Sequence, residues 1–236
     1  MIIAIDTATE TASVAIAHPD GTIAAELTWR AGRNHTMHVH PTLRHVMMLA
    51  GITTDDLTGV VATRGPGSFT GIRIGLATAK GLAQGLDVPI VGVGTLAVAA
   101  YGAVHLGRTV WSAVDAGRKQ YAAAAYTASD EHGVVQLVEE AIVSPEELIS
   151  RMAERGEDCV LTGEFDEALT ETALSGLGNA LTIAPDVIRT RTAANAACLG
   201  LLRLNRGDVD DVATLEPLYL RPPAAVERAE AQAANR

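Results

Sequence analysis

The sequence predicts an α/β protein built from two lobes that share one order of elements, βββαβαβα. The chain has 236 residues, of which 48% are hydrophobic and 19% charged, values typical of a packed globular protein with one large or two modest domains. Each half opens with three short strand patterns and then alternates between helix and strand patterns. This order indicates a mixed sheet in each lobe, covered by helices on both faces.

The elements of the first half can be placed in order. Strand patterns at residues 2–5, 13–17 and 23–29 come first, and the first of them ends at Asp6. Apolar residues at helical spacing predict a helix at 37–50 that ends before Gly51 and starts, or bends, near Pro41. A strand at 60–63, a helix at 70–84, a strand at 90–93 and a helix at 95–105 complete the half.

The second half repeats this order without repeating the residues. Strand patterns lie at 110–114, which ends at Asp115, and at 120–126 and 134–138. Ser144, Pro145 and Glu147 form a capping box with proline at the first helical position, so a helix begins there and ends near Gly156. A strand at 160–162, a helix at 165–174, a short strand near 182 and a helix at 192–205 follow.

Two such units in tandem describe the duplicated ribonuclease-H-like fold of actin, Hsp70 and sugar kinases (ASKHA). We expect an N-terminal lobe at residues 1–107 and a C-terminal lobe at 108–226. The Ala-, Glu- and Arg-rich tail at 227–236 is either a helical extension or disordered.

Composition excludes several classes of protein. The net charge of −10 repels phosphate backbones, and aromatic residues make up only 3%, so strong direct binding of nucleic acid is disfavoured. Cys159 and Cys198 match no metal or redox spacing and indicate thiols in a reducing compartment. The uncharged stretch at 89–107 is interrupted by Gly92, Gly94 and Gly102 and predicts a buried strand and helix instead of a membrane span. Because no export signal is evident, we expect a cytosolic protein.

In this fold, ATP would lie between the lobes, with its phosphates held by the hairpin that follows the first strand of each lobe. Asp6 and Asp115 occupy the two matching positions, and either could hold Mg²⁺ or a water molecule. Gly117 follows Asp115, but Asp6 is followed by Thr7 and no glycine before Gly21, which obstructs a close backbone approach. The late strand at 160–164 offers one glycine and an acid where an adenosine-binding turn needs paired glycines. We therefore expect no bound cofactor, and an ATP site at Asp6, Thr7, Asp115 and Gly117 is the weaker alternative.

Four nearby histidines invite a metal interpretation: His35, His38, His40 and His45. Their gaps of three, two and five residues do not give the pair four apart that a helical metal site requires, and Pro41 disturbs the register. Surface or interface histidines are favoured, and no metal site is expected. The sequence also lacks a Gly-x-Ser-x-Gly elbow or a cysteine beside a base that would mark a nucleophile.

The most informative segment is the glycine-rich stretch Arg64-Gly-Pro-Gly-Ser-Phe-Thr-Gly-Ile-Arg-Ile-Gly75. It lacks the Gly-Lys-Ser/Thr ending of a phosphate loop. In the helix that follows, Gly71, Gly75 and Ala79 recur every four residues. Helical glycine costs about 1 kcal/mol relative to alanine, so this stripe predicts a close neighbour along one face. That neighbour is either the helix near 35–50 or another protein chain.

Four stretches together resemble the bacterial TsaB (YeaZ) family. They are residues 3–9 (IAIDTAT), 63–73 (TRGPGSFTGIR), 114–118 (VDAGR) and 216–221 (EPLYLR). The second stretch is highly specific, and the other three follow in the right order, so the resemblance spans nearly the whole chain. Older naming ties such sequences to glycoproteases, although this chain shows no protease site.

The resemblance implies a non-catalytic subunit of the complex that transfers a threonylcarbamoyl group to N6 of adenosine 37 in tRNAs reading ANN codons. Members of the family resemble the catalytic subunit TsaD but lack its metal-binding His-x-x-x-His pair. They act as its dimerisation partner, and the complex also engages the ATPase TsaE. By this resemblance ATP and Mg²⁺ belong to the partner subunits, tRNA is held through the complex, and the isolated chain can form a homodimer.

The family pairs through the N-terminal lobe, using the helices that here cover 35–50 and 70–84. The resemblance therefore places partner-binding residues at Met37, Val39, Leu43, Met47, Arg73, Ala77 and Lys80, and the small-residue stripe adds Gly71, Gly75 and Ala79, ten in all. The rival interpretation is an ATP-dependent kinase or acyltransferase that uses the cleft at Asp6 and Asp115.

Overall fold

Two five-stranded mixed sheets form the framework of the computed structural model, which describes residues 1–32 and 34–221. The strands of the first sheet are β1 (Ile2–Asp6), β2 (Thr11–Ala17), β3 (Ile23–Arg30), β4 (Gly59–Thr63) and β5 (Ile90–Val93). Their order is β3-β2-β1-β4-β5, with β1, β2 and β3 antiparallel and β1, β4 and β5 parallel.

The second sheet repeats this topology. Its strands are β6 (Thr109–Asp115), β7 (Tyr121–Ser129), β8 (Gly133–Val143), β9 (Cys159–Glu164) and β10 (Leu181–Ile183). Their order, β10-β9-β6-β7-β8, is that of the first sheet with each strand replaced by its counterpart. The duplicated ribonuclease-H-like fold predicted from the element order is therefore confirmed.

The helices of the described residues lie between and around the sheets. They are α1 (His35–Leu49), α2 (Phe69–Leu86), α3 (Thr95–Tyr101), α4 (Pro145–Arg155), α5 (Glu167–Leu177), α6 (Asp186–Arg189) and α7 (Ala193–Leu204). Ser68 caps α2 and Ser144 caps α4, each accepting a hydrogen bond from the amide three residues later. The cap at Ser144 agrees with the sequence-based prediction.

Alternation along the strands divides the core into layers. In β1, Ile3 and Ile5 point towards α1 and α2, whereas Ile2 and Ala4 point towards α7. The second sheet packs one face against α3 and the other against α4 and α5. Helix α7 belongs to the second half of the chain but covers the first sheet, so the two halves share a core.

Several boundaries differ from the prediction. Strand β8 continues to Val143 instead of ending at 138, because it is an edge strand that accommodates both glutamates: Glu139 is exposed, and the partly buried Glu140 accepts a hydrogen bond from Tyr126 Oη at 3.1 Å. Helix α3 ends at Tyr101 and is followed by a 3₁₀ turn, Val104–Leu106. Helix α6 was not predicted. The predicted tail at 227–236 lies outside the described residues.

The strands of the two sheets separate near residue 107, where Gly107 has a positive φ of 72° just before β6. The uncharged stretch at 89–107, which ends at Gly107, contains β5 and α3. In the part of the chain that the structure describes, no helix is both long and apolar enough to cross a membrane.

Candidate functional site

A cleft with a volume of about 880 Å³ opens between the two lobes. Its walls come from the loop after β1 and the loop before α2 on one side, and from the ends of β6 and β9 on the other. Negative charge predominates in the lining, which includes five carboxylates and two guanidinium groups: Glu10, Asp115, Glu164, Asp166 and Asp186, with Arg30 and Arg189. Such a surface repels the phosphates of a nucleotide.

Asp6 lies beneath this cleft and is only 1% exposed. Arg191 binds both of its carboxylate oxygens, through Nε to Oδ2 and through Nη2 to Oδ1 at 3.1 Å. Thr63 Oγ1 and the amide of Ala8 also donate to Oδ1, at 2.8 and 3.0 Å. Both carboxylate oxygens of Asp6, the residue predicted as a ligand for Mg²⁺ or water, are thus already bonded to protein groups.

Arg191 joins the two lobes. It is fully buried, and besides Asp6 it binds Glu164 of β9 through Nη1 at 2.6 Å and Thr9 through Nη2 at 3.1 Å. Burial disfavours the charged guanidinium, but Asp6 and Glu164 outweigh this effect and raise the pKa of Arg191. Arg191 was not predicted from the sequence, because it lies in a short polar connection 185 residues from Asp6 and no local pattern links the two.

The loop after β1 is packed against the glycine-rich loop. Thr7 Oγ1 donates to the carbonyl of Gly71 at 2.7 Å, and the carbonyl of Ala8 accepts from the amide of Ser68 at 2.7 Å. The approach at Gly67 is so close that a Cβ there would lie 2.1 Å from the Ala8 oxygen. A phosphate therefore cannot reach the backbone of this hairpin as it would in an ATP-binding lobe.

Of the four residues of the alternative ATP site, Asp115 and Gly117 line the cleft, whereas Asp6 and Thr7 do not. Asp6 and Thr7 are buried in the N-terminal lobe, whereas Asp115 and Gly117 are exposed at the cleft wall, where Asp115 Oδ1 accepts from the Gly117 amide at 2.8 Å. In place of an adenosine-binding turn, Gly163 lies within β9. Its φ is +105°, and a Cβ there would lie 2.2 Å from the carbonyl of Ala113. The residues present do not fit Mg²⁺-ATP.

The four histidines of α1 differ in their exposure to solvent. His35, at the start of the helix, is 4% exposed, whereas His38, His40 and His45 are exposed. Burial lowers the pKa of His35, and the nearby charges of Asp6 and Glu10 act in the opposite direction. Within residues 1–32 and 34–221, no group of three or more histidine, cysteine or acidic side chains could hold a metal ion.

Half of the predicted partner-binding residues are buried inside the chain itself. They are Val39, Leu43, Gly71, Gly75 and Ala79. A partner cannot contact their side chains in this conformation, so the predicted set needs correction. The physical reason is that these positions form the inner faces of α1 and α2, which cover the first sheet. The glycine stripe meets Thr7 and β1, and not a neighbouring helix.

The other five predicted residues reach the surface to different extents. Met37, Arg73 and Ala77 are exposed, and Met47 is half-buried. Lys80 is also half-buried, and its Nζ donates to the carbonyls of Ala213 and Leu215 at 3.3 and 3.1 Å. Their part in an interface stays a prediction.

The outer surface of α1 and α2 has a character of its own, and we call it the α1–α2 face. Neither helix contains an acidic residue, although the chain as a whole carries a net charge of −10. Three of its large apolar side chains were not predicted from the sequence: Met48, Leu49 and Phe69, which are 64%, 55% and 37% exposed. A face that exposes large apolar side chains and has no acidic residue, on an acidic protein, is typical of an interaction surface.

Comparison with protein-family models matches residues 23–215 to the family described as "TsaD: tRNA N6-adenosine threonylcarbamoyltransferase". Among curated proteins, the tRNA threonylcarbamoyladenosine biosynthesis protein TsaB of Escherichia coli (strain K12) is 34% identical over 223 residues. That alignment covers 93% of this chain and 94% of the relative.

Solved structures agree with these matches. An uncharacterized protein with similarity to peptidase YEAZ from Pseudomonas aeruginosa superposes with a TM-score of 0.75 at 25% identity, covering 93% of this chain and 99% of the other. YeaZ from Pseudomonas aeruginosa gives a TM-score of 0.72 at 24% identity with the same coverage, which supports the fold.

Proposed function

The chain belongs to the TsaB (YeaZ) family of tRNA threonylcarbamoyladenosine biosynthesis proteins, and we propose that it is the non-catalytic subunit of the complex that modifies tRNA. In this role it dimerises with TsaD, the subunit that transfers threonylcarbamoyl to N6 of adenosine 37 in tRNAs reading ANN codons.

The observation that carries the non-catalytic role is the buried pair between Arg191 and Asp6. A nucleotide-binding lobe of this fold needs an acidic side chain that is free to hold Mg²⁺ or water at the end of its first strand. Here a guanidinium group occupies both oxygens of that carboxylate. Binding a cation at Asp6 would require displacement of Arg191, because otherwise two positive charges would compete for one carboxylate.

The acidic cleft supports the same proposal. A nucleotide entering it would meet five carboxylates and would find the amide of Ala8 already bonded to Asp6. We therefore propose that this chain uses no cofactor and that ATP and Mg²⁺ belong to TsaD and TsaE. Transfer chemistry would then take place in the partner subunit.

The α1–α2 face supports a docking role. It presents exposed Met37, Met48 and Leu49 without any acidic side chain. We propose that TsaD binds here, and that in its absence a second copy of the chain does so. TsaE and tRNA would join through the complex, since a net charge of −10 disfavours direct contact between this chain and RNA. We propose a cytoplasmic location, where tRNA modification takes place.

Reconstitution with TsaD and TsaE from the same organism tests this function. The full set of proteins should form threonylcarbamoyladenosine in tRNA, the set without this chain should form much less, and this chain alone should show no turnover. The chain should also co-purify with TsaD. If the modified nucleoside forms equally well without this chain, the proposed role is wrong.

Calorimetry with ATP and Mg²⁺ tests the rival enzyme. We expect no micromolar binding to the isolated chain, and no change in the titration for the Asp115→Ala variant. Micromolar binding that Asp115→Ala removes would instead favour a kinase or acyltransferase acting in the cleft.

A further inference from the structure

The two most recognisable stretches of the sequence meet at the surface of the N-terminal lobe. Phe69 and Arg73 come from the start of α2, and Tyr219 comes from the segment near the end of the described chain. The rings of Phe69 and Tyr219 stack with their centroids 5.0 Å apart and their planes at 29°. The guanidinium carbon of Arg73 lies 3.8 Å above the centre of the Phe69 ring, and Arg73 Nε donates to Tyr219 Oη at 2.9 Å.

The backbone beneath these three side chains is held on both sides. The first turn of α2 is fixed by the Ser68 cap and by the hydrogen bond from Thr7 to the Gly71 carbonyl. The segment that carries Tyr219 is fixed by the Leu218 amide, which donates to the Arg64 carbonyl at 2.6 Å, and by Leu215, which is buried in the core. Arg73 is therefore oriented before any partner binds.

The terminal nitrogens of Arg73 are available. Stacking occupies one face of the guanidinium and Tyr219 uses Nε, while no carboxylate among the residues that the structure describes pairs with the Nη1–Nη2 edge. By contrast, Arg151 and Arg203 each have a carboxylate within 3 Å. An exposed, pre-oriented guanidinium edge matches the two oxygens of a carboxylate or a phosphate.

We propose that Arg73 binds a carboxylate on the surface of TsaD, and that Tyr219 is a positioning residue that holds the guanidinium for it. This inference rests on the proposed function and adds the chemistry of one contact and a segment outside α1 and α2. The charge distribution of this chain favours a protein carboxylate over an RNA phosphate as the partner of Arg73. Arg73 lies on an acid-free face, which is complementary to an acidic patch on another protein. An extended phosphate backbone would also lie near the rest of this chain, whose net charge of −10 would repel it.

A series of substitutions at Arg73 tests the contact, with calorimetric affinity for purified TsaD as the measurement. Loss of a charge-assisted pair in Arg73→Met should weaken binding by about tenfold or more. Arg73→Glu should weaken it further, by roughly another tenfold, because two carboxylates would then face each other. Arg73→Lys should fall between wild type and Arg73→Met, since an ammonium keeps the charge and loses the paired edge. Arg151→Met, on α4 of the other lobe, is the matched control and should bind like wild type.

Two further measurements show whether Tyr219 positions the Arg73 guanidinium or only stabilises the fold: the salt dependence of TsaD binding and the affinity of a Tyr219 variant. Affinity of the wild type should fall between low and high salt, and Arg73→Met should show a smaller fall. Tyr219→Phe keeps the stacked ring and removes the acceptor for Arg73 Nε, so it should weaken TsaD binding severalfold while the melting temperature stays unchanged.

Three results would overturn the inference. Equal affinities of Arg73→Met and Arg73→Glu would mean that no carboxylate faces Arg73, and wild-type affinity in both would remove Arg73 from the interface. If the isolated wild-type chain bound tRNA and the Arg73→Met chain did not, with TsaD binding intact, Arg73 would be assigned to RNA. Failure of the wild type itself to bind TsaD would instead refute the proposed function, and this inference would fall with it.

Discussion

The carboxylate of Asp6 accepts hydrogen bonds from a guanidinium, a hydroxyl and an amide, all within the protein interior. A buried carboxylate without a cation is strongly unfavourable, so a protein of this fold needs either a metal ion or a basic side chain at this point. Arg191 supplies the basic side chain. Because it also binds Glu164, the same residue holds the two lobes together beneath the cleft.

The first prediction concerns this pair. Arg191→Met should lower the free energy of unfolding by about 3–5 kcal/mol, because it leaves Asp6 buried without a compensating charge. Urea unfolding followed by circular dichroism measures the change. Arg151→Met, which breaks an exposed pair with Glu147, should change it by less than about 0.5 kcal/mol.

A double-mutant cycle shows whether the loss arises from the pair itself. In Asp6→Asn combined with Arg191→Met, the side-chain oxygen can still accept from Thr63 and Ala8 while both charges are gone. The double variant should therefore be less destabilised than the sum of the single variants. Strict additivity would show that the two residues act independently.

His35 gives a second prediction, on pH dependence. Burial lowers its pKa below the ordinary value of 6.5, so the folded state favours the neutral ring. The resulting stability is fully present above pH 6.5 and is lost as the pH falls below it, since the unfolded chain takes up the proton more readily. Between pH 7.5 and 5.5, the wild type should lose more stability than His35→Gln, as measured by urea unfolding at both values. Equal losses would contradict the assignment.

At the scale of elements, α2 shows why a helix can carry so many glycines. A Cβ at Gly71 would lie 2.1 Å from the Thr7 carbonyl, and one at Gly75 would lie 2.2 Å from Thr7 Oγ1. These glycines let α2 approach the end of β1 closely enough for Thr7 to bond to it. A charged residue at Gly75 would consequently test folding and not docking.

The third prediction uses two glycines of this helix. Gly75→Ala should destabilise the protein by about 1–3 kcal/mol, because its Cβ overlaps Thr7. Gly81→Ala should stabilise it by up to about 1 kcal/mol, since Gly81 is exposed in the same helix with nothing within 4 Å of its Cβ position. Thermal or urea unfolding of both variants measures the contrast, and a loss of stability at Gly81 would contradict it.

At the scale of the whole molecule, charge is segregated between surfaces. The cleft is acidic, while the α1–α2 face has no acidic residue and exposes methionines. A protein arranged in this way repels anions at its cleft and offers an apolar surface to a partner. The two surfaces together support the proposed docking role over nucleotide binding.

The fourth prediction tests that docking surface. Met37 is 73% exposed, so Met37→Glu should leave the free energy of unfolding within about 0.5 kcal/mol of wild type. It should nevertheless weaken TsaD binding by about tenfold or more, because the charge would be buried in an apolar contact. Val187→Glu, at an 84% exposed position of the C-terminal lobe, is the matched control and should bind normally. Wild-type affinity for Met37→Glu would place the interface elsewhere.

Periodicity predicted the two repeated lobes and most element boundaries, and residue preferences at helix starts predicted the cap at Ser144. These depend on interactions within a few residues, which the linear order of side chains displays directly. The resemblance in residues 63–73 likewise led to the family that the comparisons confirm. The inner and outer sides of α1 were harder to assign, because its histidines and methionines are spread around the whole helix.

Only the tertiary structure showed that Arg191 neutralises Asp6, that the glycine stripe faces Thr7, and that Tyr219 lies beside Arg73. Each of these contacts joins residues far apart in the chain, and the last spans 146 positions. Local pattern carries no information about such pairs, because they arise when separate elements pack around shared cores. The sequence by itself determined the elements and the family of this protein, whereas the packing of its lobes decided which acidic, glycine and arginine side chains are free to act.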